Sequence, residues 1–212
     1  MPIPHTIHQI WLGKDRPWAL EHCRASLLSL HPKWEYHRWT DEDVDSILNH
    51  EALAPHNEKL IAFYRICMQC NKHNPLATTS DLLRLLVVYI HGGLYLDCDC
   101  YGLRPLGRLA DTTDQIWAEI VPDGLVGEAV IGAAPRDQRI LGLILAFAAK
   151  VDRSKYYRNR GPAIKNVNMD CTGYCRKHKI QPYPPEYFIP HERHCPPAHR
   201  YRYTSNTHCI HL

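Results

Sequence analysis

Two aspartates, Asp97 and Asp99, end a strongly apolar stretch, "SDLLRLLVVYIHGGLYLDCDC" (residues 80–100). Burying carboxylates without partners is unfavourable, so such a pair faces water or a positive charge. Two like charges close together also raise one pKa by repulsion, and a divalent cation removes that conflict. The pair is therefore consistent with a Mg²⁺ or Mn²⁺ site that holds a diphosphate.

The apolar residues around this pair predict a β-strand. Because side chains alternate along a strand, Tyr95, Asp97 and Asp99 are expected on one face. The opposite, core-facing side is expected to carry Leu96, Cys98 and Cys100. In open parallel sheets, ligands bind beyond the carboxyl ends of the strands. We therefore expect the two carboxylates to converge at that edge.

A helix is predicted over residues 81–90, where the polar or charged side chains are Asp81 and Arg84, with Tyr89 amphipathic. We expect Thr79 or Ser80 to cap the N-terminus of this helix, and Gly92 with Gly93 to end it. Asp81 and Arg84 are three residues apart and share a helix face. They form either a local ion pair at the helix N-terminus or a ligand-binding pair, and the spacing alone leaves both open.

The remaining chain alternates between strand and helix patterns. Strands are predicted near residues 3–11, 34–40, 115–121 and 128–135, and helices near 16–32, 58–71, 138–151 and 162–178. This alternation predicts an α/β fold with a mainly parallel central sheet flanked by helices, in one domain spanning residues 1–212. Residues 181–212 are rich in Pro, Tyr and His and are expected to form an extended tail.

Composition limits the class of protein. The 212 residues are 45% hydrophobic and 22% charged, with a net charge of +3, too small an excess to indicate a nucleic-acid partner. The N-terminus lacks the pattern of a secretory signal, and no apolar run is long enough for an integral membrane segment. We expect a cytoplasmic protein, in a prokaryotic or viral setting.

The nine cysteines are expected to be mostly free thiols in a reducing compartment. Cys67 and Cys70, with His73 nearby and Cys171 and Cys175 downstream, are one possible zinc site. The alternative is that Cys67 and Cys70 are small core residues of a helix, since no second CxxC or HxxxH completes a tetrahedral set.

Three segments in order resemble the DXD-containing glycosyltransferases of family 32: "IPHTIHQIWLG", "SDLLRLLVVYIHGGLYLDCD" and Gly161-Pro162. That family includes yeast initiating mannosyltransferases and bacterial and viral surface-glycan enzymes, and the catalytic domains of large clostridial glucosylating toxins have a similar core. The resemblance implies a GT-A-like fold and a retaining glycosyltransferase that uses Mn²⁺ or Mg²⁺. It implies a nucleotide-sugar donor, UDP-linked or alternatively GDP-linked, and a glycan or glycoconjugate acceptor.

The resemblance also implies roles for individual residues. Asp97 and Asp99 would hold the metal and the diphosphate, Asp81 and Arg84 would contact the donor sugar and diphosphate, and Tyr95 would lie beside the sugar.

Further implied residues lie outside this motif. Trp11 would stack on the base, or is simply a core residue at a strand end. His211 matches a C-terminal family histidine and is a candidate metal ligand, with His208 as runner-up and a solvated surface position as the alternative. Glu128 lies where the family often has Asn and would face the acceptor or reacting sugar.

Two other functions remain open at the level of the sequence. The chain ends without the Ser-Trp ending of the family, so a nucleotide-sugar or glycan binding module with weakened catalysis is one alternative. A metal-dependent phosphohydrolase or nucleotidyltransferase is the other, since paired aspartates also hold metals in such enzymes. The sequence shows no further acidic cluster that could hold a second ion and no Gly-rich phosphate loop with Lys. Both would be expected of such a phosphohydrolase or nucleotidyltransferase.

Overall fold

The computed structural model describes residues 2–14, 17–70, 75–121, 124–152, 170–189 and 203–212, without the side chains of residues 69–70, 121 and 150–152. Its centre is a five-stranded sheet of strand order β2-β1-β3-β6-β5. The sheet strands are β1 (Thr6–Ile10), β2 (Glu35–Trp39), β3 (Gly93–Leu96), β5 (Gln115–Val121) and β6 (Leu125–Ala133). A separate antiparallel pair consists of β4 (Cys100–Gly102) and β7 (Cys209–His211).

The sheet is mixed. Strand β1 pairs in parallel with both β2 and β3, whereas β6 pairs antiparallel with β3 and with β5. The predicted α/β class is confirmed, and the parallel part is the three strands at the β2 side. These three strands end at one edge, which is where the aspartate pair follows β3.

Helices cover both faces of the sheet. They are α1 (Ala19–Leu30), α2 (Val44–Leu48), α3 (Asn57–Cys70), α4 (Pro75–His91), α5 (Gly107–Thr112), α6 (Gln138–Asp152), α7 (Cys171–His178) and α8 (Pro185–Phe188). One buried cluster joins α2, α3, α4, α6 and α7 to one face. A second cluster joins α1, α5, α8, β4 and β7 to the other face. Short 3₁₀ turns precede α2 and α3.

Helix α4 is buried as its sequence predicts, with every residue from 82 to 90 buried. The predicted start at Thr79 or Ser80 is wrong, because the helix begins at Pro75, a residue that suits the first turn of a helix. Thr79 lies inside the helix, where its hydroxyl donates to the Pro75 carbonyl at 2.8 Å instead of capping.

The predicted glycine stop is confirmed. Gly92 and Gly93 have φ of 68° and 88°, the left-handed region that favours glycine. A Cβ on Gly93 would lie 2.7 Å from the Thr6 carbonyl oxygen. The two glycines therefore let α4 turn directly into β3 and allow β3 to approach β1.

The segment of residues 94–100 is not the single strand that the alternation predicts. Strand β3 ends at Leu96, and the Cys100 N–H donates to the Asp97 carbonyl at 3.0 Å, which closes a four-residue turn before β4. Cys98 and Cys100 are buried as expected. The two aspartates are thus brought together by a turn, and strand alternation does not explain their proximity.

Of the C-terminal part, the structure describes residues 181–189 and 203–212, and the expected extended tail stays a prediction. Its described residues include helix α8, strand β7 and a bridge between Tyr183 and Ala118 beside β5. No helix among the described residues has the length and hydropathy needed to cross a bilayer.

The seven cysteines whose side chains are described form no disulfide bond. These are Cys23, Cys67, Cys98, Cys100, Cys171, Cys175 and Cys209. Of the possible zinc site, Cys67, Cys171 and Cys175 are buried among the apolar side chains of one core cluster. The Cys70 side chain and His73 lie outside the described residues.

His8, on β1, is a buried neutral imidazole. One ring nitrogen accepts from the Trp39 indole at 3.2 Å, and the other donates to the Gly92 carbonyl at 2.8 Å. Burial lowers the pKa of His8 to about 3, because the charged ring would lose its hydration. The unfolded chain, with a histidine pKa of 6.5, binds the proton more tightly than the folded protein does.

We expect His8 to destabilise the fold progressively as pH falls from 6.5 towards 3. In His8→Gln this loss is absent, so the unfolding free energy of the variant relative to wild type should rise as pH falls. The change is at most about 1.4 kcal/mol per pH unit. Urea unfolding at several pH values measures it, with the exposed His22→Gln as control; a flat difference for His8→Gln would contradict the buried neutral ring.

Candidate active site

Asp97, Asp99 and His211 form a potential metal-binding group. One ligand atom from each lies within 4.8 Å of the others, the only such group of three among the described residues. The His211 Nε2 lies 3.4 Å from Asp97 Oδ2 and 3.2 Å from Asp99 Oδ1. Burial alone would lower the pKa of His211, but its hydrogen bonds to these carboxylates and their charges raise it to about 10.

Strand β7 brings His211 to the aspartates. In the β4–β7 pair, His211 lies opposite Cys100, the residue that follows Asp99. The Leu212 N–H donates to the Asp99 carbonyl at 3.2 Å. One end of this small sheet therefore brings together both sources of ligand atoms, the turn after β3 and the C-terminal strand.

Arg84, on α4, lies beside the metal group with a side chain that is only 9% exposed. Its guanidinium lies 2.9 Å from Asp81 and 3.3 Å from Asp97, and it donates to the Glu128 carbonyl at 2.9 Å. Its positive charge also lies 4.9 Å from the centre of the Tyr95 ring, in a cation–π contact. Arg84 thus connects α4, the turn after β3 and β6.

Asp97 is ionised in this environment. Burial would raise the pKa of Asp97, but the charge of Arg84 and the hydrogen bonds from His211 and Tyr95 lower it. The Tyr95 hydroxyl donates to Asp97 Oδ1 at 2.6 Å. Tyr95 is neutral, because burial raises the pKa of its phenol. One carboxylate therefore has both a cation and two hydrogen-bond donors.

Asp81 forms the predicted ion pair with Arg84, and the pair also borders the metal group. The two sequence interpretations are therefore compatible with each other. Burial raises the pKa of Asp81 against the opposing charge of Arg84.

Glu128, on β6, is a third acid beside Arg84, after Asp81 and Asp97. Burial, the dominant effect, and repulsion from Asp81 and Asp97 raise the pKa of Glu128 to about 7. The Cys171 thiol lies 3.9 Å from its carboxyl group. This carboxyl group can therefore carry or release a proton near neutral pH.

Trp11 follows β1 and lines a cavity of about 410 Å³. Its indole N–H is buried and has no hydrogen-bond partner among the described residues. A buried donor without a partner is uncommon, and a ligand is one way to satisfy it. The rest of the lining is Ile10, Leu12, Gly13, Lys14, Leu76, Ala77 and Ser80.

The other sequence candidates lie elsewhere. His208, the runner-up for the metal ligand, bonds the Pro105 carbonyl at 2.9 Å through Nδ1 and does not belong to the group of three. His208 precedes β7 and His211 ends it, so the strand carries His211, and not His208, to the aspartates. Gly161-Pro162 lies outside the described residues.

Residues near the site that the sequence reasoning did not identify are Gln9, Lys14 and Ser80. Lys14 and Ser80 line the cavity beside Trp11, and Gln9 Nε2 donates to the Asp97 carbonyl at 3.2 Å. The sequence signal for Gln9 was that this polar residue lies two positions after Ile7, on the same face of the predicted strand.

The donor set suits a divalent cation. Two carboxylates favour Mg²⁺ or Mn²⁺, and the imidazole favours a transition-metal ion over Mg²⁺. Three protein ligands leave coordination positions for water or for a ligand's oxygens. Bound metal would displace the proton on His211, since a ligating imidazole must be neutral.

Replacing Arg84 tests how far the site's charges depend on one guanidinium. We expect Arg84→Met to lower the free energy of unfolding by about 3 kcal/mol, because it leaves Asp81 and Asp97 buried without their cation. Urea unfolding at pH 7 measures this. The matched control is Arg136→Met, which removes an exposed pair with Glu51 worth about 1 kcal/mol or less. Equal losses in both variants would contradict the central role of Arg84.

The sequence has recognisable relatives. The family described as "glycosyltransferase sugar-binding region containing DXD motif" matches residues 17–119. Inositol phosphoceramide mannosyltransferase 3 of Schizosaccharomyces pombe is 30% identical over 107 residues, covering 50% of this chain and 27% of that protein. A mannosyl phosphorylinositol ceramide synthase of Saccharomyces cerevisiae is 28% identical over 142 residues, covering 67% and 34%. The match spans about a third or less of these relatives. Both are yeast proteins, so they give no support to the expected prokaryotic or viral setting.

Solved structures share the fold. The PaToxG glycosyltransferase superposes with a TM-score of 0.62 at 17% identity, covering 84% of this chain and 69% of that one. The UDP-bound glycosyltransferase domain from the YGT toxin gives a TM-score of 0.50 at 9% identity, covering 85% and 68%. These likenesses confirm the expected fold, and the family match, which spans the aspartate pair, supports the expected family. Residues 17–119 of this chain match the DXD-containing glycosyltransferases, and its fold is of the GT-A type.

Proposed function

We propose that this chain transfers a sugar from a nucleoside-diphosphate donor, a UDP-sugar in preference to a GDP-sugar, to a hydroxyl of a glycan or glycoconjugate, and that it requires Mn²⁺ or Mg²⁺. The observation that carries the proposal is the convergence of Asp97, Asp99 and His211 within 4.8 Å, next to the buried cation Arg84. Such a group suits the diphosphate of a leaving nucleotide better than it suits a neutral ligand.

The charges of the site support departure of a diphosphate. A bound divalent cation supplies positive charge that stabilises the leaving diphosphate. Arg84 is fixed by three partners and adds a preorganised positive charge that requires no reorganisation during the reaction. Asp97, kept ionised by Arg84, His211 and Tyr95, holds its carboxylate ready to bind the metal.

The donor would extend from this group towards the cavity beside Trp11. The indole face would stack on the base and its free N–H would donate to the donor, while Asp81 and Tyr95 would border the sugar. Support for a UDP-sugar comes from the cavity and from the shared fold with a structure that is described as UDP-bound. A GDP-sugar remains the alternative donor.

Glu128 is proposed to face the reacting sugar and the acceptor. Its carboxyl group, with a pKa of about 7, can hydrogen-bond a hydroxyl in either protonation state. We propose transfer with retention of anomeric configuration. For the acceptor, the yeast relatives named for inositol phosphoceramide support a glycoconjugate hydroxyl.

The metal and the donor can be tested together by thermal unfolding with UDP- and GDP-sugars, with and without Mn²⁺. Ligands that bind only the folded state raise the melting temperature by mass action. We expect one nucleotide sugar to raise it only when Mn²⁺ is present. Asp99→Asn should abolish both this shift and sugar transfer, whereas Asp111→Asn, at an exposed aspartate that pairs with His5, should retain them.

The products separate the alternative functions. Mn²⁺-dependent release of nucleoside diphosphate supports a transferase, and binding without any turnover would favour a binding module. Release of sugar phosphate would instead indicate a phosphohydrolase. Wild-type transfer by Asp99→Asn would rule out the proposed metal site.

Replacing Glu128 tests the environment of its carboxyl group. Because its pKa is about 7 in the folded protein and 4.5 ordinarily, the folded state binds the proton more tightly between these values, and the group's contribution to stability is lost as pH rises from 4.5 to 7. Glu128→Gln lacks this loss. Its unfolding free energy relative to wild type should therefore rise across that range, by at most about 1.4 kcal/mol per pH unit.

The measurement is urea unfolding between pH 4.5 and 8, and the matched control is Glu35→Gln, at a side chain that is 77% exposed. A difference for Glu128→Gln that stays constant with pH would show that the carboxyl group titrates at its ordinary value.

A further inference from the structure

Gln9 lies on β1 beneath the aspartate turn, and both ends of its buried amide are bonded. Its Nε2 donates to the Asp97 carbonyl at 3.2 Å, and its Oε1 accepts from the Tyr36 hydroxyl at 2.9 Å. The residue is 0% exposed, so neither end of the amide has water as an alternative partner. Tyr36 in turn has the Arg24 guanidinium over its ring, with 5.6 Å to the centroid.

The turn leaves the sheet at the point where Gln9 reaches it. Strands β1 and β3 are paired at Ile7–Leu94 and His8–Tyr95, and the paired register goes no further. On the other side, the backbone of Asp97 is still hydrogen-bonded to β6, because its N–H donates to the Ala129 carbonyl at 2.9 Å. Gln9 thus provides from β1 a donor that the backbone ladder no longer provides.

Two more contacts fix the same turn. The Asp97 carbonyl also accepts from the Cys100 N–H at 3.0 Å, so Gln9 shares this acceptor with the bond that closes the turn. The Cys98 thiol donates to the Ile10 carbonyl at 3.2 Å. Strand β1 therefore holds the backbone between the two aspartates through one side chain of its own and one carbonyl.

We infer that Gln9, oriented by Tyr36, is a positioning residue that fixes the Asp97–Cys100 turn and with it the arrangement of the two carboxylates for a divalent cation. For its effect on metal binding, the inference rests on the proposed function. Groups that orient metal ligands without touching the metal commonly change metal affinity by about 10-fold to 100-fold. A merely structural Gln9 would change stability and leave the affinity for metal unchanged.

The chain contains a matched control. Gln115, on β5, is 1% exposed and also has both amide ends bonded, to Asp137, Tyr174 and Trp117. It pairs with Ala133, which lies opposite Gly93 at the far end of β3 from Asp97. Gln9→Met and Gln115→Met therefore remove equivalent buried amides while keeping an unbranched side chain of similar length.

The first measurement is calorimetric titration of the metal-free full chain with MnCl₂. We expect Gln9→Met to bind Mn²⁺ about tenfold more weakly than wild type. Gln115→Met should bind within about twofold of wild type even if its melting temperature falls. Tyr36→Phe keeps the Gln9 amide but removes the group that orients it, so it should weaken Mn²⁺ binding less than Gln9→Met does. If Gln9→Met does not fold, Tyr36→Phe takes its place in the titration.

The second measurement is hydrogen exchange of the Cys100 amide without metal. Its exchange should be faster in Gln9→Met than in wild type or Gln115→Met, because the turn then opens more often. Unchanged exchange would overturn the inference, as would unchanged Mn²⁺ affinity, or an equal loss of affinity in Gln115→Met.

The two proposals fail in different ways. If wild type and Asp99→Asn bind Mn²⁺ equally, the proposed metal site fails, and so does the role of Gln9 in metal binding. Cys100 exchange then still decides whether Gln9 holds the turn.

Discussion

The contact between Arg84 and the surrounding acids is the interaction on which the site depends. Asp81, Asp97 and Glu128 would be costly to bring together in a half-buried place without a cation. The guanidinium suits this position because it is planar, stays charged when buried and donates in several directions at once. Burial would lower the pKa of Arg84, but the acidic groups around it raise the pKa further above its ordinary value. The cost of burying one cation is thereby offset by several partners.

Fixing Arg84 requires a rigid helix, and α4 provides it. The helix is buried along residues 82–90, so its rotation and position are set by packing on both the sheet and the neighbouring helices. Gly92 and Gly93 join it to β3 without a loop, which fixes Arg84 relative to Asp97. The rigid part of the site is therefore one continuous segment of chain, from the helix through β3 to the turn.

The remaining ligand group comes from a distant part of the sequence. His211 reaches the aspartates through a strand of three residues that pairs with β4, so its position depends on few backbone hydrogen bonds. A short strand of this kind opens more readily than the central sheet. The metal group therefore combines a rigid part, Asp97 with its contact to Arg84, and a less firmly attached part, His211 on β7.

The sequence by itself determined the elements with strong local signals. The apolar helix with its glycine stop, the alternation of strands and helices, and the aspartate pair after an apolar segment all follow from side-chain types and spacing. The resemblance carried by the same motifs also indicated the family. Propensity placed the start of α4 too late, because Pro75 and the back-bonded Thr79 resemble a loop when read locally.

Only the tertiary structure decided how the site is assembled. The aspartates meet because a hydrogen bond from Cys100 turns the chain, and β7 selects His211 over His208, since pairing with β4 carries the former to the carboxylates and leaves the latter at Pro105. The partners of Gln9 also come from chain segments far apart in sequence. Such contacts depend on which strands become neighbours, and that is fixed by packing of the whole chain, which the spacing of residues within one segment does not encode.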